Sequence, residues 1–95
     1  MKYDDLIQIS DPFIVYNKFK QIYPCESELR LSSRKDKKYM ILNPKNGKWF
    51  HFGSTIQDYT KHKDTKRRDN FLRRNHKWKD ADTYTPAYAS YTLLW

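Results

Sequence analysis

Two short runs of aromatic and aliphatic residues, Tyr39–Leu42 and Trp49–Phe52, flank the stretch "NPKNG" within "KKYMILNPKNGKWFHFG". Pro44 presets φ for a turn and Asn46-Gly47 supplies positive φ, so the segment reads as a β-hairpin. Alternation along the second strand puts Phe50 and Phe52 on one face and Trp49 and His51 on the other. On the first strand Tyr39 and Ile41 separate from Met40 and Leu42 in the same way. The phenylalanine face is the better candidate for the core, but both faces are partly apolar, and something could cover each.

A helix precedes the hairpin. In "SDPFIVYNKFKQIYP" Asp11 stands at an N-cap position and Pro12 at the first helical position, where its missing N–H costs nothing. Phe13, Tyr16, Phe19 or Lys20, and Tyr23 recur at helical spacing until Pro24, which predicts a helix over about 12 to 23 with one aromatic face.

After the hairpin, "DYTKHKDTKRRDNFLRRNHKWKD" carries most of the chain's excess charge. Residues 1–60 hold ten Lys and Arg against seven Asp and Glu, residues 61–79 nine against two, and residues 80–95 none against two. Wound at about 100° per residue, Lys63, Lys66, Arg67, Asn70, Arg73, Arg74 and Lys77 gather on one side. Phe71, Leu72 and Trp78 fall roughly opposite. This predicts a long helix from about Lys61 to Trp78, docked on the hairpin by a narrow apolar stripe, with Asp58 or Asp64 as its cap. The end, "DTYTPAYASYTLLW", has no charge after Asp82 and closes on Leu93, Leu94 and Trp95. Free tails are usually polar and frayed. This one should tuck into its own core as a short strand or insert into a neighbour.

At 95 residues the chain is a single domain, 1–95, with residues 1–10 as an N-terminal arm and 83–95 as the aromatic tail. A chain this short buries only about 60 to 70% of its unfolded surface. Apolar residues make up 38% of it but aromatic residues 17%, so a few rings should do most of the packing. The net charge of +8 draws polyanions without specifying which. Cys25 is the sole cysteine, which excludes an internal disulfide and a thiolate metal cluster and suits a reducing compartment. No segment approaches the roughly 20 apolar residues of a membrane span, and "MKYDDLIQIS" lacks the form of a signal peptide.

An enzyme needs a nucleophile with a base, paired carboxylates, a metal site or a phosphate cradle. None is visible. His51, His62 and His76 have no partner at a ligand spacing, and Gly53 in "HFGS" reads as a turn. Acids around Cys25 would raise its pKa rather than activate it. Catalytic residues, metal, cofactor and small-molecule substrate are therefore all expected to be absent. The basic helix is the informative feature. Nine cations against two anions lack the Glu-Lys pairing that offsets self-repulsion on a merely solvated helix. Arg67, Arg68, Arg73 and Arg74 are the better candidates for bidentate carboxylate or phosphate contacts, with Lys63, Lys66 and Lys77 as weaker ones. A second cluster, Arg34, Lys35 and Lys37 in "RKDKK", could extend the same surface.

Read together, "SSRKDKKYMIL", "WFHFGS", "DYTKHKDTKRRDNFLRRNH" and the closing "LLW" resemble a family of small, basic, uncharacterised proteins encoded by large DNA viruses and some phages. The resemblance runs from about Ser33 to Trp95. Its pattern places Arg directly before the last His, whereas here Asn75 separates Arg74 from His76. It implies a viral setting, the virion and the infected cell, and no activity.

The chain is thus expected to be a small α+β domain. It would have an N-terminal helix, a hairpin to which the tail could add a third strand, and a long basic helix on the sheet. Two functions follow as expectations. One is a non-enzymatic virion component of minor capsid or cementing type, gripping acidic protein surfaces through the basic helix, with Leu93, Leu94 and Trp95 as assembly contacts. The other is a nucleic-acid-binding protein that condenses or escorts viral DNA or RNA.

Overall fold

The computed structural model describes residues 1–95 and shows a small α+β domain with one three-stranded antiparallel sheet and several short helices. The Asp11 carboxylate accepts from the N–H groups of Phe13 (3.1 Å) and Ile14 (3.4 Å), and Pro12 opens helix α2 (Pro12–Ile22). A short helix, α1 (Tyr3–Leu6), precedes it and buries Leu6, so the expected arm is a folded part of the core. Val15, Phe19 and Tyr23, spaced by four, form the buried row of α2. Phe13 is 76% exposed and Tyr16 49%, so the single aromatic face expected there is divided between core and surface. Two apolar rows run along this helix, and the sheet and tail cover only the i+4 row.

Strands β2 (Tyr39–Asn43) and β3 (Lys48–Phe52) form the expected hairpin, in the register Tyr39↔Phe52, Ile41↔Phe50 and Asn43↔Lys48. The Gly47 N–H donates to the Asn43 carbonyl (2.8 Å) at a φ of +70° that suits glycine. Tyr39, Ile41 and Phe52 are buried and share the phenylalanine face. The third strand is β1 (Leu29–Leu31), paired with β2 as Leu29↔Ile41 and Leu31↔Tyr39. It does not come from the tail.

The tail is helical instead. Thr85 caps α5 (Pro86–Ala89), with Pro86 at its first position, and the chain continues as a π-helical turn over Ser90–Leu94. Ala89, Leu93, Leu94 and Trp95 are buried against α2 and the sheet, so the three residues expected as assembly contacts are core residues of their own chain. Packing Leu93, Leu94 and Trp95 within the chain removes their apolar surface from water and stabilises the fold itself.

The long basic helix is also corrected. It breaks at Lys63, which takes the left-handed conformation (φ 59°), into α3 (Tyr59–His62) and α4 (Thr65–Arg74), followed by a 3-10 turn over His76–Asp80. Both candidate caps are used. Asp58 accepts from Thr60 N–H (3.0 Å) at the start of α3, and Asp64 accepts from Lys66 N–H (3.0 Å) and Arg67 N–H (3.2 Å) at the start of α4. Two strong caps six residues apart favour two short helices over one continuous one. No helix is long and apolar enough to cross a membrane.

Candidate polyanion-binding surface

Helix α4 is seated on the C-terminal tail rather than directly on the sheet. The Phe71 ring stacks on Trp95 (centroids 4.4 Å apart, 9° between planes), and Trp78 meets Phe71 edge-on (5.9 Å, 76°). Phe71, Leu72 and Trp78 are half-buried, as the expected apolar stripe requires, but Phe71 does not lie opposite the cations: it sits about 40° from Arg67 and about 60° from Arg74 around the helix. Arg68 belongs to this seat. Its Nε donates to the Trp95 carbonyl oxygen (2.7 Å) and its guanidinium lies 5.3 Å from the centre of the Tyr59 ring. It is therefore a clamp between α4, α3 and the tail, and not one of the free phosphate-binding arginines expected.

Seating that stripe turns the remaining cations outward. Lys63, Lys66, Arg67, Arg73, Arg74 and Lys77 are all exposed. None of them takes part in an ion pair, since the pairs formed are Arg30–Glu28, Arg34–Asp36, Lys38–Asp58 and Arg68–Asp69. One Arg73 Nη donates to Asn70 Oδ1 (2.8 Å), which orients the guanidinium. Asn70, Arg73 and Arg74 alone line a concavity of about 330 Å³. Two guanidiniums and an amide around an open hollow suit an oxyanion. The Lys18 ammonium, on α2, is held below its ordinary pKa by partial burial and then by the like charges of Arg68 and Lys63, so the positive field extends beyond α4.

The second basic cluster divides. Arg34 pairs with Asp36 at 3.4 Å and Lys35 is exposed beside it. Lys37 lines a cleft that Phe71 and Trp78 also line, and so joins the α4 side.

Lys38, the last of "RKDKK", behaves differently from its neighbours and has no solvent-facing role. Its Nζ donates to Asp58 Oδ2 (3.1 Å) in full burial, while Asp58 Oδ1 accepts from the Thr60 hydroxyl. Ser10 bonds to Tyr39 OH (2.7 Å), and Asp11 N–H donates to Thr60 Oγ1 (2.9 Å), completing a polar network between the start of α2, β2 and α3. Burial lowers the Lys38 pKa and the Asp58 charge opposes that shift. Gly53, with φ +88°, lies where an added Cβ would be 3.1 Å from both Leu94 Cδ1 and Lys38 Cδ. Nothing in local charge or spacing marks Lys38 as buried, since it resembles Lys35 and Lys37 in the sequence.

The histidines are separate. His51 Nδ1 bonds to Ser32 Oγ (2.7 Å), His62 Nδ1 accepts from Asp64 N–H (2.9 Å), and His76 is exposed. Cys25 is exposed on the loop before β1.

Residues 27–75, from the approach to β1 through the end of α4, match the family described as "Family of unknown function (DUF5754)". That is 49 of 95 residues. The chain belongs to this family. The matched span holds the whole sheet, the Lys38–Asp58 pair and the exposed cations of α4, and leaves out α1, α2 and the helical tail. No curated protein and no solved structure matches the chain.

Proposed function

We propose that this protein binds nucleic acid through the sugar–phosphate backbone, with Arg67, Arg73 and Arg74 as the principal phosphate ligands and Lys63, Lys66 and Lys77 around them. The observation that carries the reading is that these six cations are exposed and free of ion pairs, while the one neighbouring arginine that is engaged, Arg68, holds the helix in place. Bound backbone would release counterions from each contacted phosphate, so affinity would be strongly salt-dependent. No catalytic step is part of this reading.

The expectation of a virion component rested on acidic partners for the same cations and on a tail inserted into a neighbour. The tail's burial removes the second support. An acidic protein surface then competes with nucleic acid only for the cations, and a viral setting is compatible with either.

The test is a titration against single-stranded and duplex oligonucleotides at about 50 and about 200 mM salt. Three phosphate contacts alone imply a loss of about 40-fold in duplex affinity over that range. Arg67→Glu, Arg73→Glu and Arg74→Glu together should abolish binding and leave the fold intact. Binding that ignores salt, or that survives the triple substitution, would sink the proposal.

A further inference from the structure

We propose that the cleft beside α4 receives an unpaired nucleobase, which makes the protein selective for single-stranded over duplex nucleic acid; this rests on the polyanion reading above and adds a base-recognising site to it. The cleft measures about 520 Å³ and lies between the end of β3, the His76–Asp80 turn and the start of α5. That volume falls within the range of about 300 to 1,000 Å³ typical of small-ligand sites. Phe71, Trp78 and Trp95 form its aromatic walls, with Lys37, Ser54 and Ser90 among its polar lining.

Three features fit a base. First, Phe71 already has a parallel partner in Trp95, whereas the half-buried Trp78 ring meets only the edge-on Phe71 and has no parallel partner of its own. A planar heterocycle supplies one, and stacking on an aromatic side chain tolerates any base. Second, cations flank one of the aromatic walls. Arg67 and Arg74 lie within about 60° of Phe71 around α4, so a backbone held by them runs beside that wall, and Lys37 lines the cleft itself. Third, the hydroxyls of Ser54 and Ser90 can each donate or accept, which suits the mixed edge of a base without demanding one identity. Bases within a duplex are stacked and paired and would have to be extruded to enter.

The test uses the intact protein with three probes of equal length: oligo-dT, the same backbone with abasic sites throughout, and a duplex. Oligo-dT should bind at least about tenfold tighter than the abasic strand, and only the base-bearing strand should quench tryptophan emission. Trp78→Ala should bring oligo-dT down to the abasic level, and Trp78→Phe should recover part of the difference. The abasic comparison needs no variant, so it holds even if Trp78→Ala misfolds. Equal, salt-sensitive affinity for all three probes would overturn the base site while leaving the polyanion reading standing. Absence of binding to any of them would overturn both. Competition by poly-glutamate as effective as that by oligo-dT would mean that the cleft serves an acidic protein, and would also overturn the proposal.

Discussion

Lys38 Nζ lies 3.1 Å from the Asp58 carboxylate, with the two side chains 1% and 0% exposed. The pair joins the start of the hairpin to the cap of α3, and so anchors the segment that leads into the basic helix. Burying two charges is costly, and their attraction with added hydrogen bonds offsets that only while both are present.

Removing one partner should therefore be severe. Lys38→Met or Asp58→Asn is predicted to destabilise the fold by about 3 to 5 kcal/mol, because the remaining group is left buried and unpaired. Replacing both by apolar residues of similar volume should cost less than either single change. Urea unfolding of the three variants measures this; single variants within about 1 kcal/mol of the parent would refute it.

Gly53 and Gly47 both adopt positive φ, at +88° and +70°. Only Gly53 is crowded, by Leu94 and Lys38, whereas a Cβ at Gly47 meets open space. Gly47→Ala should cost about 1 to 2 kcal/mol from backbone strain alone. Gly53→Ala should cost about 1 to 3 kcal/mol more from overpacking against the tail. Thermal unfolding of the pair should rank them in that order.

Arg67 and Arg68 should separate binding from stability. Arg68→Ala loses its bond to the Trp95 carbonyl and its contact with Tyr59, and is expected to lower stability by about 1 to 3 kcal/mol. Arg67→Ala should leave stability within about 0.5 kcal/mol and weaken polyanion binding instead. Measuring both properties on both variants decides it; matching losses in the two would contradict the structure.

Acid should also destabilise the protein through its histidines. His51 is held below the ordinary value of 6.5 by burial and then by the Arg34 charge, and His62 by burial and then by the Arg67 charge. The unfolded chain takes up these protons first as pH falls, so stability is fully present above about 6.5 and lost progressively below it. The melting temperature should drop between pH 7.5 and pH 5.5, values bracketing the histidine range of about 6.5. His62→Gln should flatten the drop. Protonation would also remove the acceptor that His62 Nδ1 offers to Asp64 N–H.

Where structure depends on neighbours in the chain, the sequence was sufficient. The Asn43–Lys48 turn, the Asp11-Pro12 start of α2 and the phenylalanine face of the sheet all follow from local turn chemistry, capping and strand alternation. The helical tail was legible by the same means, since Thr85-Pro86 repeats the cap-and-proline pattern of Asp11-Pro12, although its uncharged aromatic character points only to burial, as a short strand or in a neighbour. The break of the basic helix was present in the pair of caps, Asp58 and Asp64, although helical periodicity ran past it.

What the sequence determined by itself was helix α2, the β2–β3 hairpin and the concentration of charge in residues 61–79. Only the tertiary structure decided which of those charges are free. Lys37 and Lys38 are adjacent, as are Arg67 and Arg68, yet in each pair one side chain is available to a partner and the other is engaged within the fold. The physical reason is direction. Successive side chains point about 180° apart on a strand and about 100° apart on a helix, so what each one meets depends on the distant segment packed there. For Lys38 that segment is the start of α3, and for Arg68 it is the tail.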